Sequence, residues 1–527
     1  MKKGISLLLA LTLFLGCGSG CARTIDNSGY VPTGDALLME GQDPEDLLAA
    51  EEDTQDLTLA YNPERSMNPL YGSDYTNRVV MSLMYQGLFA VDSSFNTTPI
   101  LCARYYVTPD NRTWTIYLEP DATFSDGTRV TVQDVVASYE QAKQNVYYKG
   151  RFTHIARVEL SSDGGVDFFL DTPYQNLALL LDIPIVKASE VTVENPLGTG
   201  PYSLEEGVGG MHLQRVANWW CGSTKLAATD SSIQLVEAQS PAQIRDEFEF
   251  SDVSLVCANP QTDSYADYRC DYELWEIDNG FMMYIGCNVT YSDFFDDGTL
   301  RTFLTYGIDR QTLVDDNYGG LALPTTLAVS PMSPYYSSSL AANYEYDEMR
   351  FVDAVTRFRV PTDDRGAEKT LKLLVNSDDS ARLRCARNIA DTLTDLGLKC
   401  ETVEKETAIY EQMLAAANFD IYLGITKLPA TMDLSEFYKP WGAMSWGGLA
   451  NETIYNMVNQ SLADRGNYYN LHKLVADDGR IIPVLFGYYT IYAKRGLLSD
   501  LTPARDNVFY YTLGKTMEDS KVATEYN

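Results

Sequence analysis

The sequence has little of the chemistry on which most enzymes and metal sites depend. Its 527 residues include only three histidines, which lie far apart, and nine cysteines without a Cys-x-x-Cys pair or the spacing of a zinc site. No HExxH, GxSxG or phosphate-loop motif occurs in the chain. The sequence therefore predicts a protein that is not an enzyme and that holds no cofactor and no metal.

Basic residues are also scarce. The chain has 40 Lys and Arg against 73 Asp and Glu, which gives a formal charge of −33. A field this negative repels phosphate backbones, so nucleic acid is excluded as a partner. Because single hydrophobic cores stop growing at about 250 to 300 residues, a chain of this length is expected to form more than one lobe or domain.

Long apolar runs are missing except at the start. The run from Ile5 to Leu15 follows two lysines and is too short to span a bilayer, which is typical of a secretory signal. It ends in the letters FLGC, which resemble a bacterial lipobox. Residues 1–16 are therefore predicted to be a lipoprotein signal peptide that leaves Cys17 as the lipid-bearing residue, in preference to Cys21. An ordinary secretory signal is the alternative.

Residues 17–56 follow as a predicted acidic tether. Between positions 43 and 53 the segment has six acidic residues and no Lys or Arg, and such a block repels itself and stays extended. A short helix packed on the body is the alternative, because residues 47–50 are apolar. Order is expected to begin near Leu57.

The body mixes strand and helix patterns, which predicts an α/β or α+β protein. Alternating or short apolar runs predict strands at 57–61, 104–107, 114–118, 158–160, 166–170 and 371–375. Helical spacing predicts helices at 132–139, 300–313 and 381–396, the first capped by Thr131 and Asp134. Because the last of these helices carries Cys385 away from Cys400, no disulfide is expected between them.

Five motifs occur in a fixed order along the body. They are SMNPLY at 66–71, YQGL at 85–88, LEPDATFSDGTRVTVQDV at 118–135, PLGTGPY at 196–202 and IIPVL at 481–485. Together they resemble the family 5 bacterial extracellular solute-binding proteins, which are the peptide and nickel receptors of ABC importers. The resemblance covers roughly residues 57–514.

The resemblance implies a two-lobe α/β fold of the periplasmic-binding-protein-like type (class II, cluster C) with an extra small domain on lobe I. The implied domains are lobe I at 57–78, 196–277 and 489–527, the extra domain at 79–195, and lobe II at 278–488. Ligand would lie in the cleft between the lobes, and hinge closure would present the closed form to the permease.

The same resemblance implies a function. The chain would be a lipid-anchored substrate-binding receptor of an ABC importer, monomeric and extracytoplasmic, held to the membrane by the lipid on Cys17. It would capture a small solute, an oligopeptide or dipeptide, and deliver it to the transmembrane subunits of the permease. Two alternatives remain: a surface sensor or adhesion protein on the same scaffold, or an importer receptor for an oligosaccharide or metal chelate.

Candidate ligand-binding residues come from three segments that correspond to the family's binding surface, 66–68, 284–288 and 423–446. They are Met67, Asn68, Asn288, Asp433, Trp441 and Trp446. Peptide receptors of this family place an aspartate near the ligand's α-ammonium, but here that slot reads Pro429-Ala430-Thr431. Either Asp433 takes over the role or free-amine recognition is absent.

Each tryptophan lies either in the cleft wall or in the core. The acidic composition predicts a cleft that favours cationic ligands.

Overall fold

The computed structural model describes residues 23–25, 57–71, 75–222, 230–260, 268–498 and 501–509. The predicted signal peptide, Cys17 and most of the predicted tether lie outside these described residues. Within the tether, residues 23–25 form a short strand. In the described ranges, no helix is both long enough and apolar enough to cross a membrane.

The strands are numbered in chain order. They are β1 Arg23–Ile25, β2 Thr58–Tyr61, β3 Phe89–Val91, β4 Thr97–Pro99, β5 Cys102–Val107, β6 Thr113–Leu118, β7 Ile155–Leu160, β8 Val166–Leu170, β9 Tyr202–Gly207, β10 Gly210–Arg215, β11 Ser232–Glu237, β12 Leu255–Ala258, β13 Tyr272–Cys287, β14 Ala322–Pro324, β15 Leu371–Asn376, β16 Cys400–Lys405, β17 Ile421–Lys427 and β18 Ile481–Lys494.

The α-helices are numbered in the same way. They are α1 Tyr75–Met81, α2 Val132–Ala142, α3 Pro241–Phe250, α4 Thr299–Phe303, α5 Arg310–Tyr318, α6 Ser338–Ala341, α7 Glu348–Arg357, α8 Ser380–Asp395, α9 Thr407–Ala415, α10 Ser435–Tyr438, α11 Glu452–Ala463 and α12 Tyr468–Asp478.

Two long strands join the halves of one large sheet. Among the described residues its order is β16-β15-β17-β13-β18-β12-β2-β11-β10-β9, with β1 and β14 added to β13 and β18. The end of β13 pairs with β17, whereas its beginning pairs with the end of β18, which also pairs with β12. The strands β13 and β18 therefore cross between a first half (β2 and β9–β12) and a second half (β15–β17).

The crossing is irregular at its midpoint. The register between β13 and β18 shifts between Asp278 and Met282, and Gly280 has a φ of 79° in the left-handed region. A Cβ atom at position 280 would lie 2.9 Å from Nη1 of Arg505. Glycine suits this point because it adopts positive φ without strain and leaves room for the arginine.

A separate four-stranded antiparallel sheet, in the order β5-β6-β8-β7, is packed against helix α2. The hairpin predicted around Asp163 to Gly165 joins β7 and β8. The predicted cap of α2 is also present, because the backbone N–H and the hydroxyl of Thr131 both donate to the Asp134 carboxylate, at 2.7 and 2.6 Å. This sheet lies within the predicted extra domain, whose boundaries stay a prediction.

The predicted strands and the helices at 132–139 and 381–396 are confirmed to within a few residues at their ends. The single helix predicted over 300–313 is wrong. Helix α4 ends at Phe303, and α5 begins at Arg310 because the Asp309 carboxylate caps its first turn by accepting from Thr312 N–H at 3.1 Å. Cys385 and Cys400 are free thiols, as expected.

Candidate ligand-binding site

A cavity of about 1000 Å³ lies where the halves of the large sheet meet the segments around the four-stranded sheet. Its described lining comes from residues 69–100, 143–184, 277–281, 332, 425–444, 489 and 505–507. The volume is at the upper end of the roughly 300 to 1,000 Å³ that ligand pockets span. Because distant segments supply its wall, the cavity exists only in the folded chain.

The six predicted binding residues do not come together. Among them, Asp433 lines the cavity, whereas the other five are not among the described lining residues, although Trp441 lies within the stretch 425–444 that supplies part of the wall. The Asn68 side chain donates to the carbonyls of Val191 and Val193 at 3.0 and 2.7 Å. That of Asn288 donates to the carbonyls of residues 417 and 419 at 2.9 and 2.8 Å. Both amides therefore hold the backbone of other segments.

The remaining three candidates have different environments. Met67 is buried in the hydrophobic core and Trp446 is half-buried against it, whereas Trp441 is 99% exposed. Backbone φ at Trp441 is 60°, in the left-handed region that large side chains rarely adopt. A role for these three residues in ligand contact stays a prediction.

Asp433 is held by His154. The imidazole Nε2 lies 3.4 Å from Asp433 Oδ2 and 2.8 Å from Ser435 Oγ, and Nδ1 lies 2.8 Å from Asp171 Oδ1. Burial disfavours the imidazolium, but the hydrogen bonds with Asp171 and Asp433 outweigh it and raise the pKa of His154 to about 9. The Asp433 carboxylate is buried too, yet its pKa is lowered because His154 and Ser435 donate to it. The pair is therefore ionic at neutral pH.

A second charged cluster forms another part of the cavity wall. Arg151 donates to Asp182 at 2.5 Å and to Asp506 at 2.7 Å, and Lys427 donates to Asp506 and to Tyr147 Oη, both at 2.6 Å. These five residues come from four separate stretches of chain and are joined by continuous hydrogen bonds. They are named here the Asp506 cluster.

Burial and neighbouring charge shift the pKa values of the Asp506 cluster, among them those of Lys427 and Asp506. Burial lowers the pKa of Lys427 to about 7. The nearby positive charges of Arg78 and Arg151 also lower this pKa, whereas the negative charge of Asp506 raises it. Burial alone would raise the pKa of Asp506, but the charges of Lys427 and Arg151 hold it well below its usual range. Asp506 is therefore the fixed anion at the centre of the cluster.

Direct contacts beside the cavity connect the segment after β8 with the second half of the molecule. Tyr174 Oη donates to Thr431 Oγ1 at 2.7 Å. The backbone N–H of Gln175 donates to the Leu462 carbonyl at 2.8 Å. Together with the bonds of His154, these contacts hold the two sides of the cavity against each other.

Sequence reasoning missed the Asp506 cluster. Only Lys427 lies in one of the three segments expected to meet ligand, and its partner Asp506 is 79 positions away. No local spacing signals such a pair, since its members become neighbours only through the crossing of β13 and β18. Within the described residues, no group of three or more His, Cys, Asp or Glu side chains is placed to hold a metal ion.

Residues 96–448 match the family model described as bacterial extracellular solute-binding proteins, family 5, middle. The chain belongs to this family, as its motifs predict. Because the family is one of extracellular binding proteins, the match also confirms the predictions that the chain is not an enzyme and that it acts outside the cytoplasm.

A curated relative shows the likeness at the level of sequence. The glutathione-binding protein GsiB of Salmonella typhi is 26% identical over 295 residues, which cover 52% of this chain and 56% of that protein. The chain thus matches little more than half the length of this relative.

Two solved structures share the fold at low sequence identity. The ABC transporter substrate-binding protein CtaP of Listeria monocytogenes has a TM-score of 0.67 at 18% identity, covering 87% of this chain and 99% of that one. The oligopeptide-binding protein AppA of Bacillus subtilis, in complex with a nonapeptide, has a TM-score of 0.61 at 19% identity with the same coverage. The predicted two-lobe α/β fold is confirmed.

Proposed function

We propose that this chain is the lipid-anchored substrate-binding receptor of an ABC importer and that it captures an oligopeptide or dipeptide in the cavity. The observation that carries the proposal is the cavity of about 1000 Å³, whose wall is supplied by both sides of the molecule. A ligand bound there touches both sides at once, so it favours the closed arrangement over an open one.

Family membership and the size of the cavity support a peptide as the solute. One structural neighbour is described as an oligopeptide-binding protein in complex with a nonapeptide, and one curated relative as a glutathione-binding protein. Extended peptides need a long cavity with polar groups spaced along an apolar wall. The lining here combines charged side chains with apolar groups such as Phe281, Met332 and Phe437.

Peptide binding is expected to stabilise the folded chain. A peptide pool in which the matching peptide is present at 100 times its Kd should add about 2.7 kcal/mol to the free energy of unfolding. Thermal unfolding followed by circular dichroism measures this as a rise in Tm. Mass spectrometry of small molecules released on denaturation would then identify a retained ligand.

Two substitutions of alanine by tryptophan provide a matched control. Ala430→Trp places an indole in the cavity wall and should abolish the rise in Tm, whereas Ala367→Trp on an exposed loop should preserve it. Absence of any shift with peptide pools at millimolar concentration would contradict a peptide ligand. A shift with oligosaccharides instead would retain the receptor function and change its solute.

The anchor is tested separately. Cys17→Ser removes the thiol that would carry the lipid, so we expect the variant to move from the membrane fraction to the soluble extracytoplasmic fraction in a bacterial host. Cys21→Ser is the control and should remain with the membrane. If the two variants partition alike, Cys17 is not the anchor.

A further inference from the structure

The charge of the cavity wall differs from that of the whole chain. The chain has 40 Lys and Arg against 73 Asp and Glu. In the described lining of the cavity, by contrast, seven Lys and Arg stand against six Asp and Glu. The acidity of the sequence is therefore not located in the cavity, which removes the basis for expecting cationic ligands.

Nearly all carboxylates of the described lining are already paired with cations. The pairs are Asp182 with Arg151 at 2.5 Å, Asp278 with Arg505 at 2.5 Å, Asp433 with His154 at 3.4 Å, Glu436 with Lys439 at 2.5 Å, and Asp506 with Lys427 at 2.6 Å. The sixth, Asp92, accepts from the backbone N–H groups of Ser94 and Asn96 in its own turn. A ligand ammonium would thus have to displace an existing partner.

Basic side chains of the same wall keep donors to spare. An ammonium has three N–H donors, and Lys427 uses two of them, on Tyr147 and Asp506, with no acceptor for the third among the described residues. The Nε–H of Arg505 likewise has no acceptor in the described structure, although the residue is only 8% exposed. Lys143 and Lys149 lie exposed on the rim, without an ion-pair partner in the described ranges.

We propose that the cavity selects peptides of net negative charge and that Lys427 is the residue that sets this selectivity, by donating its third N–H to a carboxylate of the ligand. This inference rests on the proposed function, because it assigns a charge class to the peptide bound in the same cavity. Charge-assisted hydrogen bonds are about twice as strong as neutral ones. The rim lysines add a positive field that attracts an anionic ligand toward the opening.

The position of Asp433 supports the same selectivity. It is one of the six carboxylates of the described lining, but His154 and Ser435 already interact with its oxygens. Freeing Asp433 for a ligand would leave the imidazolium of His154 with one carboxylate fewer in a buried site, which is unfavourable. Recognition through a ligand carboxylate requires no such exchange.

Binding of a carboxylate to Lys427 should also take up a proton above neutral pH. The charged and titratable groups around Lys427 are Asp506, Asp182, Tyr147, Arg78 and Arg151, and burial lowers the pKa of Lys427 to about 7. A second anion beside the amine favours its charged form, so affinity for an acidic peptide should fall as pH rises above 7. Calorimetry in buffers of different ionisation enthalpy measures the proton uptake.

Three series of tetrapeptides test the proposal. Peptides of matched length and apolar content carry two Glu, two Gln or two Lys residues, and calorimetry at pH 6.5 and low salt gives each Kd. We expect the Glu series to bind at least tenfold more tightly than the Gln series and the Lys series to bind most weakly. Lys427→Met should bring the Glu series to within about threefold of the Gln series, as loss of one charge-assisted hydrogen bond implies.

Lys399→Met is the matched control, because Lys399 lies outside the described lining and is exposed, with its Nζ 3.9 Å from Glu368. It should leave all three Kd values unchanged. If Lys427→Met fails to fold, the double variant Lys143→Gln and Lys149→Gln replaces it, and this variant should weaken the Glu series about threefold while the Gln series is unaffected.

The outcomes distinguish the two proposals. Equal or tighter binding of the Lys series, or a Lys427→Met variant that keeps the preference for Glu, would overturn the charge selectivity and leave the receptor function standing. If no peptide of any series binds at millimolar concentration, both the selectivity and the peptide receptor function are contradicted.

Discussion

Replacing His154 by glutamine is expected to lower the free energy of unfolding by about 3 kcal/mol at pH 6, since a pKa raised from 6.5 to about 9 corresponds to a difference of that size. The substitution removes the imidazolium that faces two carboxylates. It leaves Asp433, which is 8% exposed, without its cationic partner. Breaking a buried ion pair by removing one member is strongly destabilising.

The loss should depend on pH in a defined direction. The pKa of His154 is higher in the folded chain than in the unfolded one, so the folded state binds the proton more tightly. The stabilisation is therefore complete below pH 6.5, decreases as pH rises, and is absent above pH 9. Urea denaturation from about pH 6 to about pH 10 should show the unfolding free energies of the natural chain and the variant converging.

Comparing the unfolding free energies of the natural chain and of His154→Gln at the same pH separates the contribution of His154 from that of Lys427. The pKa of Lys427 is lowered on folding, so its own contribution to stability changes with pH in the opposite direction and cancels in the difference. His212→Gln is the control, since the hydrogen bond that the described structure gives the His212 imidazole is a 3.5 Å contact with the Gly210 carbonyl of its own hairpin. A difference for His154→Gln that stays constant with pH would contradict the ion pair.

Gly198→Ala is expected to be the second severe change. A Cβ atom at position 198 would lie 2.1 Å from the carbonyl oxygen of Met84 and 2.7 Å from the ring of Tyr85. The oxygen belongs to the backbone and is fixed by the N–H of Gly200, which donates to it at 2.8 Å. The clash can be relieved only if the two chain segments separate. We therefore expect the free energy of unfolding to fall by about 3 kcal/mol or more, at the upper end of the range for overpacking.

Gly209→Ala provides the matched control. Position 209 lies in the turn between β9 and β10, and the nearest atom to an added Cβ is the Gln234 side-chain oxygen at 3.8 Å. We expect its free energy of unfolding to change by no more than about 0.5 kcal/mol, as for most surface substitutions. Urea denaturation of both variants decides the matter, and equal stability would show that the 196–202 motif is not held by close packing at Gly198.

Local structure follows from the sequence where one stretch of chain determines it. The hairpin at Asp163 to Gly165 and the cap formed by Thr131 and Asp134 depend on neighbouring residues, and both are present. The prediction of one helix over 300–313 is wrong, also for a local reason, because Asp309 caps a new helix inside the apolar pattern. Apolar spacing alone does not distinguish one helix from two with the same buried face.

The site could be predicted only in part. The family's binding surface directed attention to 423–446, and Lys427 and Asp433 of that stretch do line the cavity. The partners that decide their chemistry, Asp506 and His154, lie far away in the chain, and only the folded structure makes them neighbours. The expectation of cationic ligands rested on net charge, and composition does not state where on the molecule the charges lie.

The continuous strands β13 and β18 have a mechanical consequence. Since each belongs to both halves of the large sheet, the halves cannot slide past each other without breaking backbone hydrogen bonds. Bending is possible where the ladder is already interrupted, near Gly280, at the end of the cavity next to Arg505. Relative rotation of the two halves is therefore expected at this interruption, beside Gly280 and Arg505, and any such rotation changes the separation of the cavity walls.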